Sequence, residues 1–117
     1  MARTSTVKVA PNAELNPKTQ IGTDSMVGDG SRVGERCSIK RTIIGSHCVV
    51  GKNVKLNGCV LMDHVVIEDN VKLDSCIICH NAKVGEKSVL KDCEVGQGFV
   101  IDGESRAFYS SFSLILL

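Results

Sequence analysis

The sequence predicts an all-β fold: a single-stranded parallel β-helix of hexapeptide repeats, wound into about six triangular coils of about 17–18 residues. Three observations predict it. An aliphatic residue recurs at a fixed stride, turn-forming residues recur in phase with it, and aromatic residues are scarce.

The stride starts at Val9. Steps of six reach Leu15, Ile21, Val27, Val33 and Ile39, and one step of five reaches Ile44. A cycle of six, six and five then lands on Val50, Leu56, Leu61, Ile67, Leu73, Ile78, Val84, Leu90, Val95 and Ile101. Every landing is Val, Leu or Ile, although these types make up only about a quarter of the chain. A six-residue period fits neither a 3.6-residue helix nor a lone two-residue alternation, but it fits a short strand plus a tight turn. Three such units close one coil. The inward residues then form three columns: Val27, Ile44, Leu61, Ile78 and Val95 on face A; Val33, Val50, Ile67, Val84 and Ile101 on face B; Ile39, Leu56, Leu73 and Leu90 on face C. Coils joined by main-chain hydrogen bonds lie about 4.8 Å apart, so six of them stack to about 30 Å.

The turns keep the same phase. Gly follows the inward residue at Gly22, Gly28, Gly34, Gly45, Gly51, Gly85 and Gly96. Three residues after the inward position come Asn12, Asp24, Gly30, His47, Asn53, His64, Asn70, Asn81 and Gly98, types that tolerate positive φ. A core of stacked aliphatic layers also explains a composition of three Phe, one Tyr and no Trp. One domain is expected over residues 9–106. Residues 1–8 read as a flank or vector remnant. Residues 107–117 read as a non-repeat apolar tail, because the lattice fails after Arg106.

Charge excludes some partners. Fourteen basic and thirteen acidic residues give a net charge of +1 without blocks of one sign. Neither nucleic acid nor an anionic membrane is expected on that balance. No apolar run approaches the roughly 20 residues that span a bilayer. Six cysteines without an opening signal peptide point to free thiols in a reducing cytosol.

Cys76-Ile77-Ile78-Cys79-His80 matches a haem-attachment pattern. However, Cys76 falls in the small slot two residues before an inward aliphatic, as do Ser25, Thr42, Cys59 and Cys93 on the same face and Cys37 and Cys48 on the others. Cys59, Cys76 and Cys93 should therefore stack in a column, too widely spaced for a tetrahedral zinc site and with parallel Cβ vectors unsuited to a disulfide. His47 and His64 invite the base role of hexapeptide acyltransferases, yet both occupy a turn slot. No catalytic, cofactor-binding or metal residue is expected, and the segment reads as non-enzymatic.

Side chains alternate along a strand, so the residue before each inward position points outward. On face A these residues are Met26, Ile43, Val60 and Ile77, and on face B they include Val49 and Val66. Those six are the candidate partner interface, since a continuous exposed apolar ridge marks a docking surface.

Several stretches resemble a known family. Ser38-Ile39-Lys40-Arg41-Thr42-Ile43-Ile44-Gly45-Ser46-His47-Cys48-Val49-Val50 is similar to the C-terminal β-helix of the gamma subunit of eukaryotic translation initiation factor 2B. Asn57-Gly58-Cys59-Val60-Leu61-Met62, Ile77-Ile78-Cys79-His80-Asn81-Ala82-Lys83-Val84 and Leu90-Lys91-Asp92-Cys93-Glu94-Val95-Gly96 carry the likeness over about residues 20–105. The resemblance implies left-handed coils and an upstream nucleotidyltransferase-like domain. It also implies a scaffold role in a cytoplasmic guanine-nucleotide exchange factor for initiation factor 2. The partners it implies are the epsilon subunit, the other subunits, and initiation factor 2 through the complex. No cofactor is expected. Two alternatives remain: the regulatory or oligomerisation domain of a sugar-phosphate nucleotidyltransferase, and a hexapeptide-repeat acyltransferase.

Overall fold

The structure, a computed structural model, describes residues 7–22, 24–108 and 111–112. Its strands are two or three residues long and form three parallel sheets of seven, six and six strands. Face A comprises Val7–Val9, Ser25–Val27, Ile43–Ile44, Val60–Leu61, Ile77–Ile78, Glu94–Val95 and Ser111–Phe112. Face B runs from Glu14–Leu15 through Arg32–Val33, Val49–Val50, Val66–Ile67 and Lys83–Val84 to Val100–Ile101. Face C runs from Gln20–Ile21 through Ser38–Lys40, Lys55–Asn57, Lys72–Asp74 and Val89–Lys91 to Arg106–Phe108. The β-helix that the stride predicts is present, and its three columns are the three sheets.

Two kinds of force hold the coils. Main-chain bonds pass from coil to coil: Gly28 N donates to Ile44 O at 2.8 Å, Gly45 N to Leu61 O at 2.8 Å, and Met62 N to Ile78 O at 2.9 Å. Inside, Ile44, Leu61 and Ile78 stack in register and are buried, as are Val50, Ile67 and Val84 on face B and Leu56, Leu73 and Leu90 on face C. Each such side chain gains roughly 1.5–3 kcal/mol gross from leaving water. Val9, Leu15 and Ile21 keep the register but lie in the first described coil, with a stacking neighbour on one side only; Val9 is 40% exposed.

The corners are tight. A Cβ placed on Gly28 would lie 2.5 Å from Gly45 O, so the backbone of the next coil occupies the space a side chain needs. Left-handed residues recur at every corner type. Asp24, Gly30, His47, Asn53, His64, Asn70, Asn81 and Gly98 adopt positive φ as the phase predicts, while Asn12 does not. Arg36, Lys87 and Glu104 also adopt it, and the corner from face C to face A places it one residue earlier, at Arg41, Gly58, Ser75 and Asp92. That corner is the five-residue step, so its turn is one residue shorter.

The lattice extends past both expected boundaries. Val7 and Lys8 pair with Ser25 and Met26, so part of the expected flank belongs to the first coil. Ala107 pairs with Leu90 and Phe112 with Val95, each 17 residues on, so the repeat does not fail after Arg106. It was hidden because Ala and Phe are not the aliphatic types the stride selects. The rest of the expected tail (109–110 and 113–117), like residues 1–6, lies outside the described residues.

Candidate functional site

Face A brings four of the six interface candidates into one column. Met26 stands in register with Ile43, Ile43 with Val60, and Val60 with Ile77. Met26, Ile43 and Ile77 are 43%, 46% and 39% exposed, a high fraction for large apolar side chains in a folded chain. Val60 is half-buried between Ile43 and Ile77. Val49 and Val66 are register neighbours on the adjacent face B and do not join the column. Val49 is exposed, whereas Val66 is half-buried beside Lys83. Around Met26 and Ile43 lies a shallow groove of ≈ 420 Å³ that Lys8 and Val9 also line. Sequence reasoning missed Lys8 by assigning it to the flank. The signal was there: Lys8 precedes Val9 as Met26 precedes Val27.

Face C is built differently outside. Its outward positions include Ser38, Lys55, Lys72 and Val89 in one column, with Lys40, Asn57, Asp74 and Lys91 beside it. The ion pairs Arg32–Glu14 at 3.4 Å and Lys83–Glu68 at 3.5 Å are solvent-exposed and contribute at most about 1 kcal/mol each.

The histidines form a second feature at the corner after face A. The rings of His47 and His64 stack with centroids 5.2 Å apart and planes 13° apart. Both residues are exposed, and both hold positive φ. His80 Nδ1 accepts a hydrogen bond from Asp63 N at 3.2 Å, and Asp63 Oδ1 accepts from Ser46 N at 2.9 Å.

The cysteines serve the interior. Cys37, Cys48, Cys59, Cys76 and Cys93 are buried, and Cys79, outside that slot, is half-buried. The Cys48 thiol donates to Met62 O at 2.9 Å and the Cys37 thiol to Gly51 O at 3.0 Å. Burial pushes both thiols above the ordinary cysteine range. They act as small core residues that satisfy a corner carbonyl, and the haem-like spacing puts Cys76 inside and His80 on the surface.

Residues 4–106 match the family model described as the EIF2B subunit epsilon LbH domain, where LbH denotes a left-handed β-helix. The chain belongs to this initiation factor 2B β-helix family. Solved structures share the fold more widely. A putative acetyltransferase from Bacillus cereus is 26% identical with a TM-score of 0.89, over 93% of this chain and 70% of that one. The perosamine N-acetyltransferase of Caulobacter crescentus, in complex with CoA and GDP-perosamine, is 21% identical with a TM-score of 0.82; this chain covers 51% of it. AntD, an N-acyltransferase from Bacillus cereus in complex with dTDP and Coenzyme A, is 14% identical with a TM-score of 0.80.

These neighbours overturn the expectation of a non-enzymatic segment. That expectation dismissed His47 and His64 because they occupy turn slots. On a β-helix the interior is filled with aliphatic side chains, so any functional group must sit at a corner or an outward position. A turn slot therefore does not argue against catalysis, and the relatives that carry CoA are built on this same scaffold. Among the described residues, no helix is long and apolar enough to cross a membrane.

Proposed function

We propose that the chain is an assembly module of an initiation factor 2B-type guanine-nucleotide exchange factor, of the gamma kind, pairing with an epsilon subunit in the cytoplasm. The observation that carries the exchange-factor part of this reading is the match of residues 4–106 to the epsilon-subunit β-helix model. The gamma assignment is supported by the resemblance of the Ser38–Val50 and Ile77–Val84 stretches. An assembly role also accounts for apolar side chains on the outside of a fold whose interior is already filled. The test is co-expression of the full-length chain with an epsilon subunit, affinity purification, and guanine-nucleotide release from initiation factor 2. Co-elution and faster release are expected; an epsilon subunit recovered alone overturns the reading.

A second reading has its own observation, the likeness at 26% identity to a putative acetyltransferase over 93% of the chain. Under it, the chain transfers an acyl group from acyl-coenzyme A to an amine, with His47 or His64 as the external base. Titration of the protein with acetyl-coenzyme A separates the two readings. Binding together with acetyl transfer that His64→Ala abolishes supports an acyltransferase, whereas no binding removes it.

A further inference from the structure

The outward column of face A carries opposite charges five coils apart. It reads Lys8, Met26, Ile43, Val60, Ile77 and Glu94, each residue in register with the next, and Ser111 follows Glu94. Lys8 and Glu94 are both exposed, and five coil spacings put them about 24 Å apart. Read from either end, the run from Lys8 to Glu94 is one charged residue, four apolar residues and one charged residue, with the sign reversed.

We propose that face A docks a second copy of this chain, face to face, about a two-fold axis that lies in the face and runs along the strands. This rests on the reading of the chain as an assembly module. The axis reverses the stack of coils, so Lys8 of one copy meets Glu94 of the other, Met26 meets Ile77, and Ile43 meets Val60, each pair occurring twice. The corner residues agree with this arrangement. After the strands, Asp29 faces His80 and Ser46 faces Asp63; before them, Arg41 faces Gly58 and Asp24 faces Ser75. Among these pairs no two like charges meet. His80 Nδ1 already accepts from Asp63 N, which places the ring proton of the neutral imidazole on Nε2. The other in-plane axis, along the stack of coils, sets Lys8 against Lys8 and Glu94 against Glu94. Charge alone rejects it.

The contact is small. Strands two or three residues long make a footprint well below the roughly 800 Å² per partner of a standard interface, which places the contact among the weak, transient ones.

Sedimentation velocity on the full chain, from about 1 to 500 µM, tests the proposal. A monomer–dimer equilibrium is expected. Lys8→Glu should weaken it about tenfold by facing two acidic pairs, and so should Glu94→Lys. The double reversal Lys8→Glu/Glu94→Lys should restore affinity to within about threefold of the parent, since only antiparallel docking re-pairs the swapped charges. Val60→Glu should leave a monomer throughout, with an unchanged circular dichroism melt. A chain that stays monomeric at the highest concentration overturns the proposal, as does a Val60→Glu dimer or a double variant weaker than either single one. A monomer that still co-elutes with the epsilon subunit overturns self-docking alone. A dimer without co-elution leaves self-docking standing and removes the exchange-factor reading.

Discussion

Faces A and C share one interior and differ outside. Within the column, Leu61 on face A and Leu73 on face C are both buried, flanked by aliphatic neighbours one coil above and one below. Outside, face A presents Met26, Ile43, Val60 and Ile77, whereas face C presents Ser38, Lys55, Lys72 and Val89. Folding places no demand on the outward column, because water satisfies lysine there at no cost and gains nothing from isoleucine. The comparison teaches that the inward column specifies the fold and the outward column carries whatever the fold is used for.

The largest test concerns the shared interior. Leu61→Ala and Leu73→Ala should each cost about 3–5 kcal/mol in chemical denaturation, because the stacked layers above and below hold the cavity open. A difference between them greater than about 1 kcal/mol would break the equivalence of the two faces. Next come the corners. Gly28→Ala pushes a methyl into the Gly45 carbonyl and should cost about 2–3 kcal/mol. Gly58→Ala meets only Ser75 Oγ at 3.7 Å and should cost about 1 kcal/mol, the strain of its φ of 65°. Arg36→Gly, which releases a φ of 59° on a residue with a Cβ, should change the melt by at most about 1 kcal/mol, the entropy of the added glycine opposing the relief of strain. The smallest effects fall on the outward columns. Ile43→Ser and Lys55→Ser should each stay within about 0.5 kcal/mol of the parent in stability. Only Ile43→Ser should weaken self-association.

Burial of the thiols gives a pH dependence with a definite sign. Cys37 and Cys48 have raised folded-state values, so the neutral thiol is favoured by folding. The stability this contributes is present below the ordinary cysteine value of about 8.5 and is lost as pH rises above it. Denaturation midpoints between neutral and alkaline pH should fall, and Cys48→Ala should flatten the slope.

The sequence made the fold legible because one physical requirement, an aliphatic residue in every inward slot, repeats at fixed distance. It hid what does not need an aliphatic residue. Ala107 and Phe112 keep the 17-residue register, yet neither looks like a member of the stride. Arg36, Arg41, Ser75, Lys87, Asp92 and Glu104 take positive φ because the coil must turn there, against their own preference. The outward column was legible from strand alternation, but how far Val60 and Val66 protrude depends on neighbours one coil away. Lys8 was legible from its place before Val9 but was hidden by its assignment to the flank, and backbone pairing sets it beside Met26. The chemistry of the corners was least legible, since His47 and His64 look alike as turn formers and as an exposed imidazole pair.

Carbene footprinting of the protein at rising concentration tests the division between interior and exterior most directly. Labelling of Met26, Ile43 and Ile77 should fall as concentration passes the micromolar range, while labelling of Lys55 and Lys72 should stay constant. Protection on the lysine face, or none on either, would contradict the assignment of assembly to face A.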